Sequence, residues 1–328
     1  MLIPMYNVAP YLRECLDSLL AQWQAGVEVV LLDDASTDTT AALAATLCAQ
    51  HPGKLRLLRH AHNTGIAAAR NTLLQAAQGE FVWFLDSDDK LLPGALARLR
   101  TCLAQHDPDL VLCDFRTFRE GGRLKDRLRD RRRKSSFSGP AHRAGTDRQA
   151  LLRHVLQAGQ LHPWSKIARR TTWTRVLFPE GRTFEDIATI MPLLHGVRRW
   201  VHIPEAWVGY RVRADSIVHA PSGRSMADLV LSLRDLHAAV VREPDCRADR
   251  ALCTALDRFC LHRLSAAALW CCRTGQAVPL DMPALLRGMY PQGAAGALDR
   301  VGRWGWLRRA RKVRYRIRRA GWLDGATG

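Results

Sequence analysis

The chain has 328 residues, with 49 Lys and Arg against 31 Asp and Glu, a formal charge of +18 at neutral pH. Nine Cys, odd in number and without paired CxxC spacing, argue against a disulfide framework and fit a reduced compartment. A positive surplus of this size implies anionic partners such as nucleotide phosphates, acidic lipid head groups or nucleic acid. The start MLIPMYNVAP lacks the basic and apolar regions of a signal peptide, and no stretch reaches the roughly 20 apolar residues of a membrane span. The expected place of action is therefore the cytoplasmic side of a membrane.

Only Leu2 and Ile3 precede Pro4, so the first strand is almost absent: either a sheet edge is short there, or the true start lies upstream. A helix is predicted from Pro10, with Leu12, Cys15, Leu16, Leu19, Leu20 and Trp23 on one face. Short buried strands follow at 27–32 (VEVVLL), 55–58 and 81–85 (FVWFL). Between them a helix follows Ser36 as its N-cap, and another runs from about 66 to 77 and stops at Gly79. Strand–helix alternation of this kind predicts an α/β fold with a mostly parallel, doubly wound sheet. Ligands of such sheets bind beyond the carboxyl ends of the strands.

Farther on, residues 123–134 (RLKDRLRDRRRK) hold eight basic residues in twelve, a solvated loop by composition. Helices are predicted near 147–158 and 186–195, and strands near 200–203 and 207–213. Beyond about residue 221 the pattern is helical, at 227–241 and 248–272, and the chain ends in a basic, aromatic tail.

The chemistry-bearing residues fall just after the strands. In FLDSDD at 84–89, Asp86 and Asp88 are two apart and share a face as the strand runs out. Two carboxylates on one side can hold a hard divalent cation through oxygen, and such a cation would neutralise a departing diphosphate. The plainer reading is a solvated acidic turn. After the second strand comes LDDASTDTT at 32–40. Asp33 and Asp34 are candidates for hydrogen bonds with a base or ribose, while Ser36 and Asp38 suit the capping of the next helix.

Four motifs occur in order: PMYN at 4–7, DDASTDTT at 33–40, NTGIAAARN at 63–71 and DSD at 86–88. Together they resemble the family 2 glycosyltransferases of the GT-A, Rossmann-like fold. HPWSK at 162–166, FPEG at 178–181, FED at 184–186 and YRVRADSI at 210–217 extend the likeness toward the non-processive enzymes of capsule, lipopolysaccharide and exopolysaccharide synthesis. The resemblance implies that Pro4, Tyr6 and Asn7 line a nucleoside pocket with Asp34, and Asp33 beside it, at the base. It implies that Arg70 braces the pocket, that Asp86 and Ser87 contact the nucleotide, and that Asp88 holds Mg²⁺ or Mn²⁺. Arg211 and Arg213 would approach the pyrophosphate. Asp186 matches the family's catalytic base and Glu185 would position the acceptor. Ala35, where the family usually has Gly, is a change expected to be tolerated.

Asp186 can also be argued chemically, since an acceptor alcohol must lose a proton as it attacks and a carboxylate in reach can take it. An Asp opening a helix is otherwise an N-cap. Trp164 can stack on an acceptor sugar and Lys166 can bind an acidic group, or the two can be core and surface charge. His219 is a further candidate for the metal site, or an ordinary loop histidine. In the tail, residues 300–319 contain ten Lys or Arg and no acid, and Trp306, Ala310, Val313, Ile317 and Ala320 form one helical stripe, with Trp304 and Trp322 as anchors. Such a helix suits an anionic bilayer surface; packing of the stripe onto the catalytic domain is the alternative.

The expected organisation is a GT-A domain over 1–220, with a nucleotide-sugar half (1–100) and an acceptor half (101–220). A helical region over 221–328 with a basic tail at 300–322 follows. The expected activity is metal-dependent, inverting transfer from a nucleotide-sugar, UDP by family habit, to a glycan or lipid-linked glycan of the cell envelope, at the inner face of the cytoplasmic membrane. Two rivals stand beside it. A sugar nucleotidyltransferase would need a Gly-rich loop with Lys near the first strand, which is missing. A basic nucleic-acid-binding module would leave the ordered acidic motifs unexplained.

Overall fold

A computed structural model describes residues 1–119, 133–213, 221–302 and 307–323. The first half contains β1 (Leu2–Met5), α1 (Ala9–Leu20), β2 (Val29–Asp33), α2 (Thr40–Gln50), β3 (Leu55–Arg59), α3 (Ile66–Ala76), β4 (Phe81–Val82), β5 (Lys90–Leu91), α4 (Ala95–His106) and β6 (Leu110–Phe118). Next come β7 (Arg133–Lys134), β8 (Ala144–Gly145), α5 (Arg148–Ala158), β9 (Lys166–Arg169), α6 (Glu185–His195) and β10 (Trp200–Arg211). The helical remainder comprises α7 (Gly223–Arg242), α8 (Arg250–Thr274), α9 (Met282–Met289), α10 (Ala294–Val301) and α11 (Leu307–Arg319).

β1, β2 and β3 pair in parallel. Just past β4, Phe84 bridges Leu2 in parallel, so the two sheets join and the strand order becomes β3-β2-β1-β4-β9-β6-β10-β5. β9 is antiparallel to both its neighbours, β6 and β10 are parallel, and β5 is antiparallel to β10. Side chains alternate along β2: Val30 and Leu32 enter one apolar core, Val29 and Leu31 the other. The second core takes apolar residues of α1, α2 and α4, and the first takes those of α3, α5 and α6. Helices thus cover both faces of the sheet, and each fully buried Leu, Ile or Val contributes about 1.5–3 kcal/mol.

Several expectations need correction. The first strand is neither missing nor at an edge: β1 lies between β2 and β4, with all four residues buried. Leu2 donates to Trp83 O and accepts from Leu85 N–H, just past β4, and by alternation Pro4 faces the same side. Pro4 has no N–H to continue that ladder, so the strands part there. The two strands expected over 200–213 are the single strand β10, bent by irregularities between Ile203 and Ala206 and between Ala206 and Val208. Ser36 caps no helix, because α2 starts at Thr40 with Thr39 in the cap position. Helices α4, α9 and α10 and strand β6 go beyond the elements the sequence pattern predicts.

The tail also differs. Ala310, Val313 and Ile317 of α11 are buried, as is Trp322, and all belong to the same core as Leu2 and Val30. α11 lies against α8 and α10. The stripe proposed for lipid therefore faces protein, and the arginines point outward from it. Trp304, Trp306 and His219, and most of the basic segment at 123–134, lie outside the described residues. Among the described residues no helix is long and apolar enough to cross a membrane.

Candidate active site

The carboxyl ends of β1 and β2 and the segment that follows β4 open into a cleft of about 1610 Å³, closed on the other side by α6, α7 and α8. Three residues other than Gly adopt left-handed backbone beside it: Asn7 (φ 51°), Ala35 (φ 54°) and Phe184 (φ 58°). Such geometry costs an L-residue about 1–2 kcal/mol and persists only where surrounding contacts enforce it. Asn7 is enforced by its own side chain. Its Oδ1 accepts from Thr37 N–H at 2.8 Å, while its backbone N–H donates to Ser36 Oγ at 3.0 Å. Asn7 therefore fastens the β1 and β2 loops together and does not line the cleft, contrary to its expected place in the nucleoside pocket.

Asp33 is likewise structural. Its carboxylate is fully buried, pairs with Arg59 at 3.1 Å and accepts from Ser36 N–H. Asp34 does line the cleft. Burial works to raise its pKa, but donation from Thr64 N–H, His60, Thr64 Oγ1 and Gly65 N–H prevails and holds it below the ordinary carboxylate range. Gly65 stands at the head of α3 with φ 88°, where its N–H reaches Asp34 at 2.8 Å. Pro4 and Tyr6 line the same end, and Tyr6 is 46% exposed, an aromatic face open to a ligand.

Across the cleft stands the acidic strand end. Arg70, 4% exposed on α3, donates to Asp86 Oδ1 at 3.0 Å and to Glu185 on α6. One guanidinium thus ties the end of the β4 segment to the head of α6. Asp88 pairs with Arg213 at 3.0 Å. Burial, and after it the like charge of Asp86, raise the Asp88 pKa against the pull of Arg213. Asp89 is fully buried and accepts Arg211 N–H at 2.8 Å; burial and then Asp88 push it well above the usual range. Arg211 does not line the cleft: its Nε donates to Asp88 O at 2.7 Å, it meets Glu14, and it lies over Tyr11 and Phe118. It holds the acidic loop from behind, while Arg213 and Ser87 reach the cleft itself.

Asp186 lies on the opposite wall, the second residue of α6, 19% exposed and 4.0 Å from His162 Nδ1. It is not the N-cap: Phe184 occupies that position. The loop before it is braced from α7, where Asp228 accepts Thr183 N–H at 3.0 Å and Asp235 pairs with Arg182. Glu185 is buried and committed to Arg70, so it positions the wall and is not open to an acceptor. Burial, with Asp186 adjoining, raises its pKa against Arg70.

Trp164 and Lys166 are also corrected. Trp164 is 1% exposed, stacked on the His162 ring at 4.6 Å, so no sugar reaches its face. His162 is half-buried in the cleft wall, and desolvation there lowers its pKa to about 4, which keeps the ring neutral beside Asp186 at ordinary pH. Lys166 is buried, with Nζ donating to the carbonyls of Gln160 and His162 and to Ser165 Oγ, each at 3.0 Å. Burial lowers its pKa to about 7, and it staples the turn that carries His162 and Trp164. Sequence patterns gave no sign that Arg263, Trp270, Arg273 and Arg316, from helices after residue 220, also line the cleft.

Among the described residues no group of three or more His, Cys, Asp or Glu is placed to hold a metal. Asp86 and Asp88 supply two hard oxygen donors on one wall, and the raised pKa of Asp88 marks a place where added positive charge is favourable. That set fits Mg²⁺ or Mn²⁺ completed by diphosphate oxygens and water.

Residues 1–159 match the family model for glycosyl transferase family 2. The glycosyltransferase GlyG of Streptococcus pneumoniae serotype 4 is 26% identical over 238 residues, 69% of this chain and 74% of that protein. Residues 1–159 of the chain thus form a family 2 glycosyltransferase domain. The glycosyltransferase EpsJ of Bacillus subtilis is 36% identical over 114 residues, which cover 35% of this chain and 33% of EpsJ. The match thus spans about a third of EpsJ. Among solved structures, S. aureus TarS 1-349 in complex with UDP-GlcNAc aligns with a TM-score of 0.69 at 20% identity, covering 96% of this chain and 88% of that one. The mannosyltransferase PcManGT from Pyrobaculum calidifontis, in complex with GDP-Man and Mn²⁺, aligns with a TM-score of 0.55 at 24% identity, covering 98% and 84%. The fold is accordingly GT-A, extended by C-terminal helices.

Proposed function

We propose that this chain transfers a sugar from a nucleoside diphosphate donor, UDP in first place, to a hydroxyl of a cell-envelope glycan or lipid-linked glycan, with inversion at the anomeric carbon. The observation that carries the reading is the facing of two acidic walls across one cleft. Asp86 and Asp88 stand at a strand end, Asp186 heads α6 opposite, and Arg70 joins the walls through Asp86 and Glu185.

Tyr6 and Asp34 would hold the base, Asp86 and Ser87 the ribose and phosphates. Asp88 would hold a divalent cation that neutralises charge on the leaving diphosphate. Asp186 takes the proton of the acceptor hydroxyl while its oxygen attacks the anomeric carbon from the face opposite the leaving group. Neutral His162 adds no competing positive charge beside that base. The outward arginines of α11, which has no acid in its first turn, support apposition to an anionic cytoplasmic membrane surface. A nucleic-acid partner is not favoured, because the cleft's strand-end wall is lined by carboxylates.

The test is a panel of nucleotide-sugars incubated with full-length protein and Mn²⁺ or Mg²⁺, reading slow donor hydrolysis. One donor should turn over, and chelation should stop it. Failure to bind any nucleoside diphosphate, with or without metal, would remove the reading.

A further inference from the structure

The cleft continues past Asp186 along α8. Arg263, Trp270 and Arg273 line it at steps of seven and three, which place them on one face of a helix. Ten residues of helix span about 15 Å, the length of several sugar or polyol units. Arg224, at the head of α7, and Arg316, on α11, line the same stretch from either side. Trp270 is half-buried, and its indole N–H donates to Pro221 O at 3.1 Å, which leaves the ring fixed.

The charges here are unanswered. Among the described residues Arg224, Arg273 and Arg316 make no ion pair, and Arg224 donates only to Gly181 O at 3.4 Å. Arg263 donates to Gly159 O at 2.7 Å, lies over Phe259 and meets the field of Asp186. Among the described residues, the one carboxylate lining this stretch beyond Asp186 is Asp228, which is engaged by Thr183. By contrast, Arg70 and Arg213 in the same cleft both face carboxylates. Unpaired guanidinium forks on several helices, aimed into one groove, suit planar oxyanions.

We propose that the α8 groove is an acceptor subsite for a polyanionic chain, whose phosphate or carboxylate groups meet Arg224, Arg263, Arg273 and Arg316 while a sugar or polyol unit packs on Trp270. This deepens the glycosyltransferase reading and rests on it for the word acceptor. The groove's preference for anions can be measured alone.

The experiment uses full-length protein at physiological ionic strength, where attraction between distant surface charges is screened beyond about 8 Å. Three labelled probes are titrated: a glycerol phosphate hexamer, a galacturonic acid hexamer and a neutral glucose hexamer. At least one anionic probe should bind tenfold or more tighter than the neutral one, and which of the two binds tells phosphodiester from carboxylate. The double variant Arg273→Ala/Arg316→Ala should lose roughly ten- to hundredfold of that affinity, as expected when two charge-assisted contacts are removed. Arg273→Lys/Arg316→Lys should recover part of it. Arg247→Ala/Arg250→Ala, exposed on the surface but outside the groove, should change it little. Equal binding of the neutral probe, no anionic binding, or equal losses in both double-alanine variants would each overturn the proposal. UDP affinity of the wild type, measured in parallel, reports on the donor reading alone.

Discussion

At the strand ends Arg70 lies between Asp86 and Glu185 and Arg213 lies against Asp88, whereas along α8 Arg273 and Arg316 enter the same cleft with no ion pair among the described residues. The first region is assembled from buried, mutually satisfied charges. Arg70 and Glu185 are nearly inaccessible, and removing one partner would strand the other at a cost of several kcal/mol, about 3–5 by analogy with other buried pairs. Its geometry is therefore fixed before any ligand arrives. The second region is open, and Arg273 and Arg316 are placed there by the helices that carry them. On the proposed function, the difference teaches that a fixed donor site and an adaptable acceptor groove can share one cavity.

The strand-end region should break most sharply. Asp88→Ala removes one of two hard oxygen donors and releases Arg213 into the diphosphate site. Metal-dependent donor turnover is expected to fall below detection, with little change in melting temperature. Donor turnover at the wild-type rate in purified Asp88→Ala protein would show that this wall does not hold the metal.

The helical region should respond in stability before it responds in chemistry. Ile317 is fully buried, in the core that also holds Leu2 and Val30. Ile317→Ala is expected to cost about 2–5 kcal/mol, and cutting the chain after Asp299 should yield insoluble or strongly destabilised protein. A soluble truncation with an unchanged melting curve would mean that α11 is an appendage and not part of the core.

Titration offers a finer contrast. Burial holds His237 of α7 at a pKa of about 4, below its ordinary value of 6.5. The unfolded chain takes up that proton first, so the stability owed to neutral His237 is complete above about pH 6.5 and is lost as pH falls toward 4. His237→Gln should flatten the fall in melting temperature across that window relative to wild type. An unchanged slope would place His237 in water. The smallest effect belongs to Ala35, whose left-handed backbone costs about 1–2 kcal/mol while glycine would loosen the unfolded chain by about 0.5–1 kcal/mol. Ala35→Gly should raise the melting temperature slightly and leave donor binding intact, as calorimetry and UDP titration would show.

The strand-end region was largely legible in the sequence because its chemistry sits in contiguous motifs that end strands. Asp34, Arg70, Asp86, Asp88 and Asp186 all line the cleft. The sequence could not separate lining from scaffold within a motif. Asn7, Asp33, Glu185, Lys166 and Arg211 look like ligands by type, but three-dimensional partners claim each of them. β1 was hard to see because a strand flanked by two others needs only a few apolar residues, and Pro4 disguised its end. The α8 groove was not visible at all. Arg224, Arg263, Arg273 and Arg316 are ordinary helical arginines until packing brings three helices together, and the stripe on α11 reads the same whether lipid or protein covers it.

The central claim, that the two facing acidic walls divide donor binding from proton transfer, is tested most directly by Asp186→Asn. The change keeps the shape of the side chain and removes its ability to accept a proton. UDP affinity in the presence of Mn²⁺ should stay within a few-fold of wild type, while sugar transfer to an acceptor should fall by about 10²–10⁴, the range expected for a lost general base. Equal losses of UDP affinity and transfer rate, or transfer at the wild-type rate, would contradict the account.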